Sequence, residues 1–184
     1  MAASASDFVG GVLASFGLPA EIDTPDLAAR SDGTRIVIGD DPATWPFPVR
    51  TVSSPSLAQI KTWIGNPDAT VQQHGVKLVA AADLARIAAD TTDPDQLSAA
   101  ARQYVFGDSA AAAHLLPAIE KHLGPFEVHL VAASVIKIAP GQTLVFEGST
   151  PKVVTADQLI FEGPGANIES FVNLSMTVQT VIVN

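Results

Sequence analysis

Apolar and polar positions alternate differently in the front and the tail of this chain. Residues 7–16 set Phe8, Val9, Val12, Leu13 and Phe16 at spacings of three and four, behind a serine cap candidate and ahead of Gly17 and Pro19. That spacing predicts a short amphipathic helix docked on its own core. Residues 20–54 are rich in Asp, Pro, Gly and Ser and read mostly as loop. One β-like run, Arg35 to Ile38, is closed by Gly39, Asp40, Asp41 and Pro42. The string WPFPVR holds Trp45 and Phe47 between prolines that favour extended backbone, so a loop packed over a core is expected there.

Helix signals strengthen downstream. Leu57, Ile60, Trp63 and Ile64 share a face before Gly65 and Asn66. A strand fits 75–80 and a helix 81–89. Asp93 can cap a helix opening at Pro94 and ending at Gly107, because the pair supplies a side-chain acceptor and a preset backbone angle. Asp108 can cap the next helix, which runs to Gly124 and Pro125, with Pro117 expected to kink or split it.

Beyond Pro125 the pattern becomes runs of Val, Ile, Leu, Phe and Thr between Pro-Gly and Gly-Ser turns, so strands are expected throughout. AASVIKI at 132–138, TADQLIF at 155–161 and TVQTVIV at 177–183 recur with offsets of 23 and 22 residues. Alternation places Ile136, Leu159 and Val181 in one inward column and Ile138, Phe161 and Val183 in a second. The other face carries Val135, Lys137, Gln158, Ile160, Thr180 and Ile182. Pro140 and Gly141 match Pro164 and Gly165, with Glu162 the extra residue between copies. Ser134, Asp157 and Gln179 occupy matching positions suited to a polar corner stack. The expected fold class is α+β. A mainly helical, Ala-rich region spans 1–124, and an all-β unit spans 125–184. A short parallel β-solenoid is favoured for that unit, with an antiparallel sandwich or jelly roll, or a mixed roll, as alternatives.

Composition narrows the function classes. The chain is 47% hydrophobic and 16% charged, with a formal charge of -9. The absence of any basic run argues against nucleic acid and anionic lipid as partners. With no cysteine, disulfides, thiolate nucleophiles and Cys-based metal centres are excluded. No stretch reaches the roughly 20 apolar residues of a membrane span. The first residues lack a basic segment, and Gly10, Gly11 and Gly17 interrupt their apolar stretch, so no secretory leader is read. The cytoplasm is the default compartment; a leaderless or already processed secreted chain would look the same.

Catalytic material is sparse. His74, His114, His122 and His129 form no metal-ligand spacing and are expected at the surface or at helix ends. No phosphate loop, nucleophile elbow or dinucleotide fingerprint occurs, so no cofactor or metal is implied. Glu127, Glu147, Asp157, Glu162 and Glu169 are the tail's carboxylates, and solvated turn positions are the expected reading. The leading expectation is a non-enzymatic binding or assembly protein that forms a homo-oligomer. The terminal run, Thr177 to Val183, is the edge that would pair between copies. The alternatives are a carbohydrate-active enzyme or carbohydrate-binding module using Trp45 or Trp63 as a platform, and a small-molecule pocket protein. Catalytic residues are not assignable from the sequence.

Overall fold

A computed structural model describes residues 3–4, 6–22, 34–45, 49–64, 68–69 and 81–184. In chain order its elements are β1 (Ala3–Ser4), α1 (Asp7–Ser15), β2 (Glu21–Ile22), β3 (Arg35–Ile38) and β4 (Arg50–Ser54). They continue with α2 (Leu57–Ile64), α3 (Ala81–Leu84), α4 (Pro94–Phe106) and α5 (Leu116–Leu123). The tail holds β5 (Phe126–Ile138), β6 (Thr143–Phe146), β7 (Lys152–Phe161), β8 (Asn167–Ser170) and β9 (Leu174–Val183). The α+β expectation holds at this level. The strand read at 75–80, Phe47, His74 and the Gly65-Asn66 stop lie outside the described residues.

Two compact units divide the chain: residues 1–52 with 128–184, and residues 53–127. The stretch 20–54, expected to be mostly loop, contains β4 as well as β3, and both hydrogen-bond into the sheets of the C-terminal strands. Its serines and flanking prolines masked a five-residue strand whose exposure alternates along its length.

The strand-rich unit holds two larger sheets, ordered β4-β5-β7-β9 and β3-β6-β8. From β5 onward the chain alternates between them. Strands β5, β7 and β9 pair in parallel, with Ile136 opposite Leu159 opposite Val181, and Ile138 opposite Phe161 opposite Val183. Strands β3, β6 and β8 also pair in parallel, with Val37 opposite Val145 opposite Glu169. The turns stack too. The Gly141 amide donates to the Pro164 carbonyl at 3.0 Å, and Gly141 and Gly165 both adopt positive φ, +74° and +77°. A Cβ on Gly165 would stand 3.2 Å from the Gly141 Cα, so the stacked turn excludes side chains there.

The three long strands are not uniformly alternating. Ser134, Asp157 and Gln179 are skipped in the pairing, and the inward face changes parity there. Before the skip Val131, Ala133, Val154 and Ala156 enter the core; after it Ile136, Ile138 and Leu159 do. The matching polar residues therefore mark a corner inside each strand. Asp157 accepts a hydrogen bond from the Ser6 hydroxyl, and the same hydroxyl caps α1 by accepting from the Val9 amide at 3.2 Å. Val9 and Leu13 are fully buried as α1 packs on β7. Phe161 is half-buried and packs on the core cluster.

In the helical unit Leu57, Ile60, Trp63 and Ile64 are buried along α2, as the spacing predicted. The Glu120 carboxylate receives the Leu57 amide at 3.0 Å and satisfies one free N–H of the first turn. The helix read at 81–89 stops at Leu84. The segment after Asp108 is split as Pro117 requires, into a 3-10 stretch at Ser109–Leu115 and then α5, whose first turn accommodates the proline. Asp93 caps α4, its Oδ1 accepting from the Asp95 amide at 2.9 Å and the Gln96 amide at 3.4 Å. Asp93→Ala should cost about 1 kcal/mol, read as a shift in the urea midpoint at constant slope; an unmoved midpoint would show that the cap does not hold the helix.

Candidate functional site

Two features of the strand-rich unit stand apart from its apolar core. The first is a polar clamp. Asp40 follows β3, and its carboxylate reaches the turn at 148–150. The Ser149 amide and hydroxyl donate to Oδ2 at 2.7 and 2.9 Å, and the Thr150 amide donates to Oδ1 at 3.1 Å. Gly148 adopts φ +108°, and a Cβ there would overlap the carboxylate, so the close approach needs glycine.

Lys152 opens β7 and is fully buried. It stands in register between His129 on β5 and Leu174 on β9. Its ammonium donates to Asp40 Oδ1 at 3.2 Å and to the Thr150 carbonyl at 3.0 Å, and lies 5.9 Å from the centre of the Trp45 ring. Trp45 meets His129 edge to face at 5.5 Å. Burial opposes ionisation of Asp40. The Ser149 and Thr150 amides, the Ser149 hydroxyl and the Lys152 ammonium outweigh it and hold the carboxyl well below its ordinary value. Both carboxylate oxygens are occupied by donors, so the clamp ties β3 to the turn before β7.

The second feature is the edge formed by β9. Exposure along the two inward columns rises tier by tier. Ile136 and Leu159 are 1% and 4% exposed but Val181 is 57%; Ile138 is 1% exposed, Phe161 half-buried and Val183 76%. Phe171, just after β8, is 70% exposed. Leu174, Met176 and Val178 pack partly on the core from the first half of β9. The strand spans ten residues without a charge, a proline or a glycine.

The sequence candidates distribute elsewhere. Glu127 and Glu147 are exposed. Glu162 faces Lys137 at 3.8 Å and Glu169 faces Arg35 at 4.0 Å, while Asp157 receives Ser6. The hydrogen bonds and ion pairs that these carboxylates make lead to cations and a hydroxyl, so none of them joins two acids. His114 and His122 are exposed, as expected. His129 corrects the surface expectation: it is 4% exposed, because the parity before the corner turns it inward beside Trp45. Trp45 and Trp63 are 6% and 7% exposed. Among the described residues no group of three His, Asp or Glu could hold a metal ion, and no helix is long and apolar enough to cross a membrane. The Asp40-Lys152 clamp was missed because Asp40 carries only a turn signal and Lys152 resembles a solvated strand end. No protein-family model, curated protein or solved structure matches this chain.

Proposed function

We propose that this chain is a non-enzymatic assembly protein that associates with copies of itself through the β9 edge of its strand-rich unit. The carrying observation is the uncharged ten-residue edge strand, together with the exposure of Val181 and Val183 on it. Such an edge offers a row of main-chain donors and acceptors and an apolar column, and proteins otherwise blunt it with charge, proline or a bulge. The paired and solvated tail carboxylates lend no support to acid-base catalysis, and the buried tryptophans none to a carbohydrate platform.

The unit itself is best read as a short parallel β-solenoid. Alternation of consecutive strands between two parallel sheets, the 22-residue register from β7 to β9 and the stacked Pro-Gly turns all support coils laid one on another. In that reading β9 is the edge strand of its sheet among the described residues.

Light scattering at micromolar concentration tests the proposal. The expected result is an oligomer that Val183→Glu converts to a monomer with an unchanged far-ultraviolet dichroism spectrum, since the side chain is already exposed. A monomeric unaltered chain would overturn the reading.

A further inference from the structure

We infer that two copies join about a twofold axis at the β9 corner, each β9 pairing antiparallel with its symmetry mate. This inference rests on the assembly reading above and adds its symmetry and register.

The two halves of β9 turn residues of opposite parity toward the core side. Leu174, Met176 and Val178 turn toward the core in the first half. Val181 and Val183 continue the inward columns in the second half, opposite Leu159 and Phe161. Ser175 and Thr177 therefore share the other face with Thr180 and Ile182. The change of parity falls at Gln179, the position skipped in the pairing with β7.

That change makes the pattern of faces a near palindrome. Laid antiparallel on a second copy with the axis between Val178 and Gln179, Leu174 meets Val183 and Met176 meets Val181, inward against inward. Ser175 meets Ile182 and Thr177 meets Thr180, outward against outward. A ten-residue strand of strict alternation in the same register would set every inward residue against an outward one. The corner supplies the compensating step.

Two further observations favour a second copy over another partner and a closed pair over a head-to-tail chain. The strand carries no charge, so a self-pairing sets no like charges together. A head-to-tail contact would lay β9 on the opposite edge of its sheet. That edge is β4, five residues opening with Arg50, which can satisfy only half of the ten-residue ladder. The isologous pairing satisfies it end to end and closes after two copies.

The absence of cysteine gives a direct test. Thr177 and Thr180 are both exposed. Within one strand they lie about 10 Å apart, beyond disulfide reach. Mild oxidation of the Thr177→Cys/Thr180→Cys double variant should yield a covalent dimer on denaturing gels, while either single variant stays uncrosslinked and all retain the unaltered dichroism spectrum. An oligomer by light scattering whose double variant does not crosslink, or whose mass grows beyond two copies with concentration, overturns this pairing and leaves the assembly reading standing. A monomer overturns both.

Discussion

Replacing Asp40 by Ala should destabilise the strand-rich unit by about 3 kcal/mol at neutral pH, whereas Lys152→Met should cost less than about 1 kcal/mol. The asymmetry follows from which partner is sealed. Lys152 is fully buried, and its ammonium has Asp40 and the Thr150 carbonyl as acceptors. Removing the carboxylate leaves a buried cation facing one carbonyl. Removing the ammonium leaves a carboxylate that is 41% exposed and still receives three donors from Ser149 and Thr150. Methionine fills the lysine's volume and keeps the contact with Trp45.

The pH dependence has a definite sign. The carboxyl of Asp40 lies lower in the folded chain than its ordinary value of 3.8, so its contribution is complete above that value and is lost as pH falls toward the folded one. Urea unfolding at pH 7, 4 and 3 should show the gap between the unaltered chain and Asp40→Ala narrowing only below about pH 4. A gap that is constant across that range, or a Lys152→Met variant as damaged as Asp40→Ala, would show that the clamp does not act through this charge.

The clamp and the edge differ in how legible they were. Register was readable because the near-equal spacing of Ile136, Leu159 and Val181, 23 and then 22 residues, is what stacked parallel strands require, and the pairing reproduces it residue by residue. Alternation around those residues could not reveal that Val131, Ala133, Val154 and Ala156 follow the opposite parity. The flip is set by a corner, and the sequence marks it only by Ser134, Asp157 and Gln179. The same flip buries His129 and Lys152, whose polarity argued for solvent. Asp40 is 112 residues from Lys152 along the chain, and no local pattern encodes a contact of that span. On the helical side, caps and prolines located α2 and α4 well because those signals are local. They overextended the helix after Ala81, which ends at Leu84 in tight turns where the Arg86 and Ile87 amides donate to the Asp83 and Leu84 carbonyls at 3.3 and 3.0 Å.

The largest expected loss in the helical unit comes from Lys61. Its side chain leaves α2 and buries, and its ammonium donates to the carbonyls of Tyr104, Val105 and Gly107 at 2.9, 3.3 and 2.8 Å. Two of those carbonyls belong to the last turn of α4, which has no amides left to accept from, and a cation there also meets the negative end of the helix. The same ammonium sits 3.1 Å from Asp68 Oδ1, and Asp68 receives the Ser109 amide at 2.9 Å and its hydroxyl at 2.6 Å. Burial opposes ionisation of Asp68, but Ser109 and Lys61 outweigh it and lower its pKa. One ammonium thus joins α2, the end of α4 and the start of the 3-10 stretch. Lys61→Met keeps the aliphatic stem and removes the charge, leaving the carbonyls of Tyr104, Val105 and Gly107 without this donor at an expected cost of about 1 to 3 kcal/mol, while Asp68, 40% exposed and still receiving Ser109, adds little. Asp68→Asn, which still accepts from Ser109, should cost about 1 to 2 kcal/mol. Because both variants weaken one node, the double variant should lose less than the sum of the two, a coupling that urea titration of the four chains measures directly. Strict additivity would place the stabilising partners of Lys61 elsewhere than Asp68.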